Sequence, residues 1–274
     1  MADVLGSHPV LEKLNVLVKR TLHSLMSNKV PEVTLIFWII KILSTTVGET
    51  GADYLGVHVG LGAGPTAACT TCLLIAALAL QLRPRRHVPW VYWLTVVLVS
   101  IVGTQMTDLL TDKLEISLYV STSLFACALA ATFALWYAVE HTLSIRSIVT
   151  TRRELFYWAA ILFTFALGTA AGDLATEALG LGFQLGVIVF AVLIGFVAVL
   201  YTLGMDPVAM FWLAYIFTRP LGASLGDLLS QSSTYGGLGL GTIGTSLAFL
   251  GVIIALVAWV SVEGARNGRP DPVR

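Results

Sequence analysis

Four times along this 274-residue chain the same frame recurs: Trp, nine residues, Gly, four residues, Asp. The copies are Trp38–Gly48–Asp53, Trp93–Gly103–Asp108, Trp158–Gly168–Asp173 and Trp212–Gly222–Asp227, and they start 55, 65 and 54 residues apart. An aromatic residue precedes every Trp: Phe37, Tyr92, Tyr157 and Phe211. Internal repetition at such a period fixes the architecture before any local propensity does. It predicts four tandem two-helix units. Each Asp also lies in a stretch otherwise apolar enough to cross a bilayer, where a carboxylate is costly and carries functional weight.

Hydrophobic residues make up 57% of the chain and charged ones 12%, about half the charged share of an ordinary soluble domain. The chain reads as an integral membrane protein whose first partner is the lipid bilayer. Its formal net charge is zero, which gives no footing for nucleic acid. No signal peptide is expected, because residues 1–28 hold Glu12, Lys13, Lys19 and Arg20 and lack a continuous apolar core. Within Val10–Leu25, apolar residues recur at helical spacing among Lys13, Arg20 and His23. That pattern fits an interfacial amphipathic helix or a short helix packed on the bundle.

Apolar runs of about 20 residues, the length that crosses the hydrocarbon core, lie near 35–55, 66–82, 90–110, 117–139, 155–176, 183–203, 209–228 and 240–261. Eight helices are expected rather than a β-barrel, since the runs lack apolar/polar alternation. The predicted organisation is a segment 1–29, repeats over 30–86, 87–151, 152–204 and 205–262, and a tail 263–274. Lys13, Lys19, Arg20 and Lys29 precede the first span. Three further basic clusters lie on the same side: Arg83, Arg85 and Arg86; Arg146, Arg152 and Arg153; Arg266, Arg269 and Arg274. The opposite loops hold only Lys113, beside Asp112 and Glu115. Both termini are then cytoplasmic by the positive-inside rule, and the repeats are parallel, related by an axis along the membrane normal, unlike inverted-repeat transporters.

The even-numbered spans contain no Asp, Glu, Lys or Arg, whereas the odd ones contain Lys41, Glu49, Asp53, Asp108, Asp173, Arg219 and Asp227. Buried charge faces a bundle interior or a wet cavity. Helices 1, 3, 5 and 7 should therefore form an inner ring inside a lipid-facing ring of 2, 4, 6 and 8. Each Trp, at the start of its helix, suits the cytoplasmic interfacial belt. Its Asp lies about 22 Å further along and about 60° around the helix. Glu49 falls between these two directions, Arg219 close to the Trp line, and Lys41 on the flank, shallow enough to snorkel toward the interface. The frame glycines fit either close helix packing or a local break that exposes backbone groups to a cavity.

Four convergent aspartates, with Glu49 as a second acid in the first repeat, would form a carboxylate cluster able to carry protons or coordinate a cation. Mn²⁺, Mg²⁺ or Ca²⁺ would suit such oxygen donors, as transported substrate rather than as cofactor. The alternative is that each Asp is a local cap or pair, multiplied by duplication. Asp112 and Glu177 lie four residues beyond two of the aspartates and fit either an external mouth or solvated loop ends. Arg219, followed by Pro220, needs an acidic partner at its depth. It can serve as internal counter-charge or, with Lys41, grip an organic anion or zwitterion. Pro220 favours a kink.

Other signals carry less. Cys69 and Cys72 lack a second pair and read as small apolar filler. Gly222–Gly226 matches GxSxG but lies inside an apolar span, not at a strand-to-helix turn. The five histidines form no metal-ligand spacing, and no phosphate loop is present. The chain is expected not to be an enzyme.

The opening VPEVTLIFWIIKILSTTVGETGADYL, residues 30–55, together with the four two-span repeats each bearing a Trp near its start, resembles a family of bacterial membrane proteins built from a repeat of unknown function. The resemblance covers roughly residues 30–262. It implies an eight-span protein of a bacterial inner membrane and brings no established activity or ligand. The functional expectation therefore rests on the residues: a transporter or exporter of a small cation, divalent or proton-coupled. An organic-anion transporter and a non-transporting membrane scaffold are the alternatives, and homo-oligomerisation stays open.

Overall fold

The computed structural model describes residues 28–57, 62–84 and 86–267. The Val10–Leu25 segment lies outside them. Among the described residues, eight helices are long and apolar enough to cross a membrane: α1 (Leu35–Val57), α2 (Ala63–Leu82), α3 (Pro89–Asp108), α4 (Leu118–Glu140), α5 (Thr151–Asp173), α6 (Gly182–Thr202), α7 (Pro207–Ser230) and α8 (Thr242–Asn267). No strand occurs among the described residues. The helix starts are encoded locally. Pro89 and Pro207 open α3 and α7 at the first-turn position that tolerates the missing N–H. The Thr150 and Asp206 side chains cap α5 and α7 by accepting from the N–H groups of Arg153 and Ala209.

The odd helices form the interior. Half or more of the residues in each odd span are buried, against 28% in α2 and 17% in α4, α6 and α8. Each inner helix packs on the next, α1 on α3, α3 on α5 and α5 on α7, and α7 returns to α1 to close the ring within one chain. The outer helices are displaced by one step. α2 packs on α3, α4 on α5, α6 on α7 and α8 on α1, whereas α1 and α2 of the same repeat touch little. The packed pair is thus an outer helix with the inner helix of the following repeat. Thr70 donates to Gln105 across α2–α3 at 2.5 Å, and Thr50 and Ser246 share a hydrogen bond of 2.6 Å across α1–α8.

The Trp residues correct one expectation. Trp93, Trp158 and Trp212 are each only 4% exposed, so they line the interior rather than an interfacial belt. Each aromatic that precedes a Trp packs against the Trp of the next inner helix. The ring centroids are 5.5 Å apart for Phe37–Trp93, 5.5 Å for Tyr92–Trp158, 6.2 Å for Tyr157–Trp212 and 5.6 Å for Phe211–Trp38. Such offset and edge contacts favour aromatic pairs beyond their burial alone. They collect all four Trp residues at one end of the bundle, the Trp end, so the inner helices run parallel.

The frame glycines are explained by packing. A methyl at Gly48, Gly103, Gly168 or Gly222 would come under 3.0 Å from Ser100, Phe165, Arg219 or Thr45 respectively. Each of these is the residue seven places after the Trp on the next inner helix. All four glycines sit within unbroken helix, and so does Pro220. No local break exposes the backbone there.

At the Trp end, Lys29 is 4% exposed. It donates to Glu154 at 2.6 Å and to the Leu82 carbonyl at 3.0 Å, and Gln81 donates to the other Glu154 oxygen at 3.1 Å. The His87 ring nitrogen Nδ1 donates to the Lys29 carbonyl at 3.2 Å. Burial holds the His87 imidazole down to a pKa of about 4, against an ordinary value of 6.5.

Candidate functional site

Seven acidic side chains converge at the other end of the inner ring, the Asp end. A cavity of about 330 Å³ is lined by Glu49, Asp53, Asp108, Asp112, Asp173, Glu177 and Asp227, together with Thr111 and Gln231. It extends to Ala63, Leu118 and Phe183, at or near the first turns of the three outer helices α2, α4 and α6. All four frame aspartates therefore face one chamber. Asp112 and Glu177 border it as well, and both are exposed. After Asp108 and Asp173 the backbone loosens into single π-helical turns, Leu109–Lys113 and Leu174–Ala178. The Leu114 and Leu179 amides bond five residues back, to Leu109 and Leu174. These turns end the two helices, as π-type turns commonly do, and carry Asp112 and Glu177.

Three acids come closest. One carboxylate oxygen each from Glu49, Asp173 and Asp227 lies within 4.8 Å of the other two. Oxygens on opposite sides of an ion held at about 2.0–2.6 Å would be spaced about 4–5 Å apart, so the trio fits a single hard cation. Asp53 and Asp108 line the same chamber outside that trio. The ion pairs among the described residues are Lys29–Glu154, Glu140 with Arg152 and Arg153, and Arg219–Glu49. None involves a frame aspartate. Asp53 Oδ2 is buried without a hydrogen-bond partner, and Asp227 is only 9% exposed.

Behind Glu49, which lines the chamber, lies Arg219, fully buried. It donates from Nη1 to the Thr45 carbonyl at 2.8 Å and from Nη2 to Glu49 Oε2 at 2.6 Å. Nη2 also donates to Thr169 Oγ1 at 2.7 Å and to Thr104 Oγ1. One guanidinium on α7 thereby joins α1, α3 and α5. Glu49, Thr104 and Thr169 occupy the same frame position, directly after the Gly. The repeat thus supplies one charged and two hydroxyl acceptors in a single layer. The two threonines carry no composition signal. The position they share with Glu49 is what could have identified them.

Lys41 departs from expectation. It neither snorkels nor lines the chamber. It is completely buried, with Nζ 4.0 Å from the Phe165 ring centroid and 4.2 Å from that of Tyr215. Tyr215 lies one helical turn from Arg219 toward the Trp end. A second cavity, of about 490 Å³, borders Asp53, Ser230 and Gln231 together with the Leu240–Gly244 segment that leads into α8.

Four stretches of the chain, residues 36–87, 91–142, 156–204 and 210–265, match one family model, described as a repeat of unknown function (DUF347). No curated protein and no solved structure matches the chain.

Proposed function

We propose, for a chain that belongs to the DUF347 family of repeats of unknown function, that it carries a small cation across the membrane through the acidic chamber. The cation is a divalent metal ion or is exchanged for protons. The observation that carries this reading is the convergence of seven carboxylate side chains on one cavity, one of which, Glu49, is paired with the buried Arg219. Glu49, Asp173 and Asp227 are the proposed first ligands, and Asp53 and Asp108 hold the ion as it enters or leaves. Asp112 and Glu177 form the mouth. Arg219 is the counter-charge that keeps Glu49 occupied while no cation is bound. By the distribution of loop arginines the Trp end faces the cytoplasm and the chamber faces outward, in a bacterial inner membrane.

An organic anion is disfavoured by the same side chains. Acids crowd the lining, the Arg219 terminal nitrogens are already engaged, and Lys41 lies outside the cavity. A scaffold role would need aspartates that bind helices together, yet among the described residues none takes part in an ion pair.

The test is thermal stability of the detergent-purified protein against Mn²⁺, Mg²⁺ and Ca²⁺, followed by flux of the active ion in vesicles. An ion present at a hundred times its dissociation constant should stabilise the protein by about 2.7 kcal/mol. Asp173→Asn and Asp227→Asn should abolish that response. If none of the ions stabilises the wild type, or if the fourfold Asn variant transports normally, the proposal fails.

A further inference from the structure

We infer that the second cavity, between the end of α7 and the start of α8, binds the ammonium group of a small organic amine. The inference does not depend on what the acidic chamber carries. At about 490 Å³ the cavity lies within the range of small-molecule sites and is many times the roughly 30 Å³ that one water occupies in the liquid. Its wall is held in place by backbone bonds. α7 ends at Ser230, and the chain then folds back on it. The Leu238, Gly239 and Leu240 amides donate to the Leu228, Gln231 and Leu229 carbonyls at 2.7, 2.8 and 2.9 Å. That return fixes Leu240 beside the end of α7 and leads into the first turn of α8, where Thr242 and Ile243 continue the wall.

The polar groups that line this cavity are short of partners. Ser230 is only 7% exposed, and its Oγ is buried with no hydrogen-bond partner among the described residues. Asp53 borders both this cavity and the chamber. Its Oδ2 is likewise buried without a partner, and it enters none of the ion pairs. Gln231 borders both cavities too. A carboxylate, a hydroxyl and an amide oxygen are three acceptors, and an alkylammonium presents three N–H donors and no acceptor. Leu240 and Ile243, both exposed, offer an apolar wall to its hydrocarbon. Other ligands fit less well. The start of α8 favours an anion by at most about thirtyfold. A carboxylate about 5 Å away, in an effective dielectric of about 20, disfavours one by a few hundredfold. No cationic side chain among the described residues lines the cavity to reverse that balance. A divalent metal ion would meet one carboxylate here, against three within 4.8 Å of one another in the chamber.

The experiment is thermal unfolding of the detergent-purified full chain, titrated with n-butylammonium chloride and, at equal ionic strength, with tetramethylammonium chloride, which has no N–H. An ethanolamine phospholipid carries the same ammonium chemistry, so a short-chain phosphatidylethanolamine is titrated beside its phosphatidylcholine counterpart. At least one of the two ammonium sources should raise the unfolding temperature saturably, its methylated counterpart should not, and which one responds identifies a free amine or a lipid headgroup. Asp53→Asn should abolish the rise. Ser230→Ala removes one acceptor from a charged donor and should raise the half-saturating concentration at least about tenfold, with the Mn²⁺ response intact. Asp173→Asn should keep the ammonium response. No saturable rise with either source, an equal rise with the methylated counterparts, or a Ser230→Ala protein that titrates like wild type overturns the inference. Should Asp53→Asn fail to fold, Ser230→Ala decides alone. An ammonium response in a wild type that ignores Mn²⁺, Mg²⁺ and Ca²⁺ would sink the cation-carrier proposal and leave the amine site standing. The opposite pair of results would do the reverse.

Discussion

The Arg219–Glu49 pair offers a quantitative test because its two members sit in unequal surroundings. The Arg219 side chain is 0% exposed, whereas that of Glu49 is 7% exposed and borders the chamber. Replacing Glu49 by Gln keeps an oxygen acceptor but removes the carboxylate charge paired directly with the guanidinium. The bond to Nη2 falls from a charged one worth about 1.5–3 kcal/mol to a neutral one worth about 1 kcal/mol. The larger effect is the uncompensated charge, for which breaking a buried pair costs about 3–5 kcal/mol in all. Adding Arg219→Met should recover part of that loss, since exchanging a whole buried pair for uncharged groups is often neutral or better. The assay is reversible unfolding of wild type, both single variants and the double variant in mixed detergent micelles. The coupling energy should reach about 2 kcal/mol or more, within the range of directly contacting groups. Additive effects, with coupling below about 0.5 kcal/mol, would refute the idea that Arg219 depends on Glu49 for its charge balance.

Further outcomes follow from the same geometry. Gly103→Ala and Gly222→Ala should each destabilise the bundle by about 1–3 kcal/mol through overpacking, whereas Gly195→Ala and Gly251→Ala, which meet nothing within 4 Å, should gain about 0.5–1 kcal/mol in helix propensity; equal effects on unfolding midpoints would contradict the glycine-packing account. In the absence of divalent ions, Asp53→Asn, Asp108→Asn, Asp173→Asn and Asp227→Asn should match or exceed wild-type stability, because no ion pair is lost; marked unfolding of any one would favour a scaffold role. Because the folded His87 takes up its proton only near pH 4 rather than 6.5, the unfolded chain binds more protons between those values. Stability is therefore undiminished above about pH 6.5 and falls by about 3 kcal/mol as the pH drops to about 4. His87→Gln should flatten that portion of a pH–stability curve. Thr104→Val with Thr169→Val removes two Arg219 acceptors and should cost about 1–3 kcal/mol for donors left unsatisfied, read from the same unfolding curves.

The bilayer explains why so much was legible in the residues alone. Backbone groups in hydrocarbon must be satisfied within each span, so eight apolar runs became eight helices. Charge cannot face lipid, so the charged spans became the inner ring, and identical frame positions brought Asp53, Asp108, Asp173 and Asp227 to one chamber. What stayed hidden was partnership. Periodicity tells which face of a helix is buried, and says nothing about which helix covers it. Arg219 and Glu49 are 170 residues apart in the chain, and neither position names the other. The Trp residues read as interfacial because Trp is amphipathic, yet the aromatic that precedes each one offered a better partner inside. Lys41 looked able to snorkel because its stem is long enough. Phe165 and Tyr215, from two other repeats, hold it inside instead.

The one-step displacement of the outer helices bears on how such a protein is made. Until α8 leaves the ribosome, the face of α1 that carries Thr50 has no Ser246 to meet, and the first helix to insert must wait for the last to be covered. Covering of α1 by α8 therefore follows closure of the inner ring by α7. A chain truncated after α7 would present a polar seam to lipid rather than a smaller working protein, and membrane proteases would find it there.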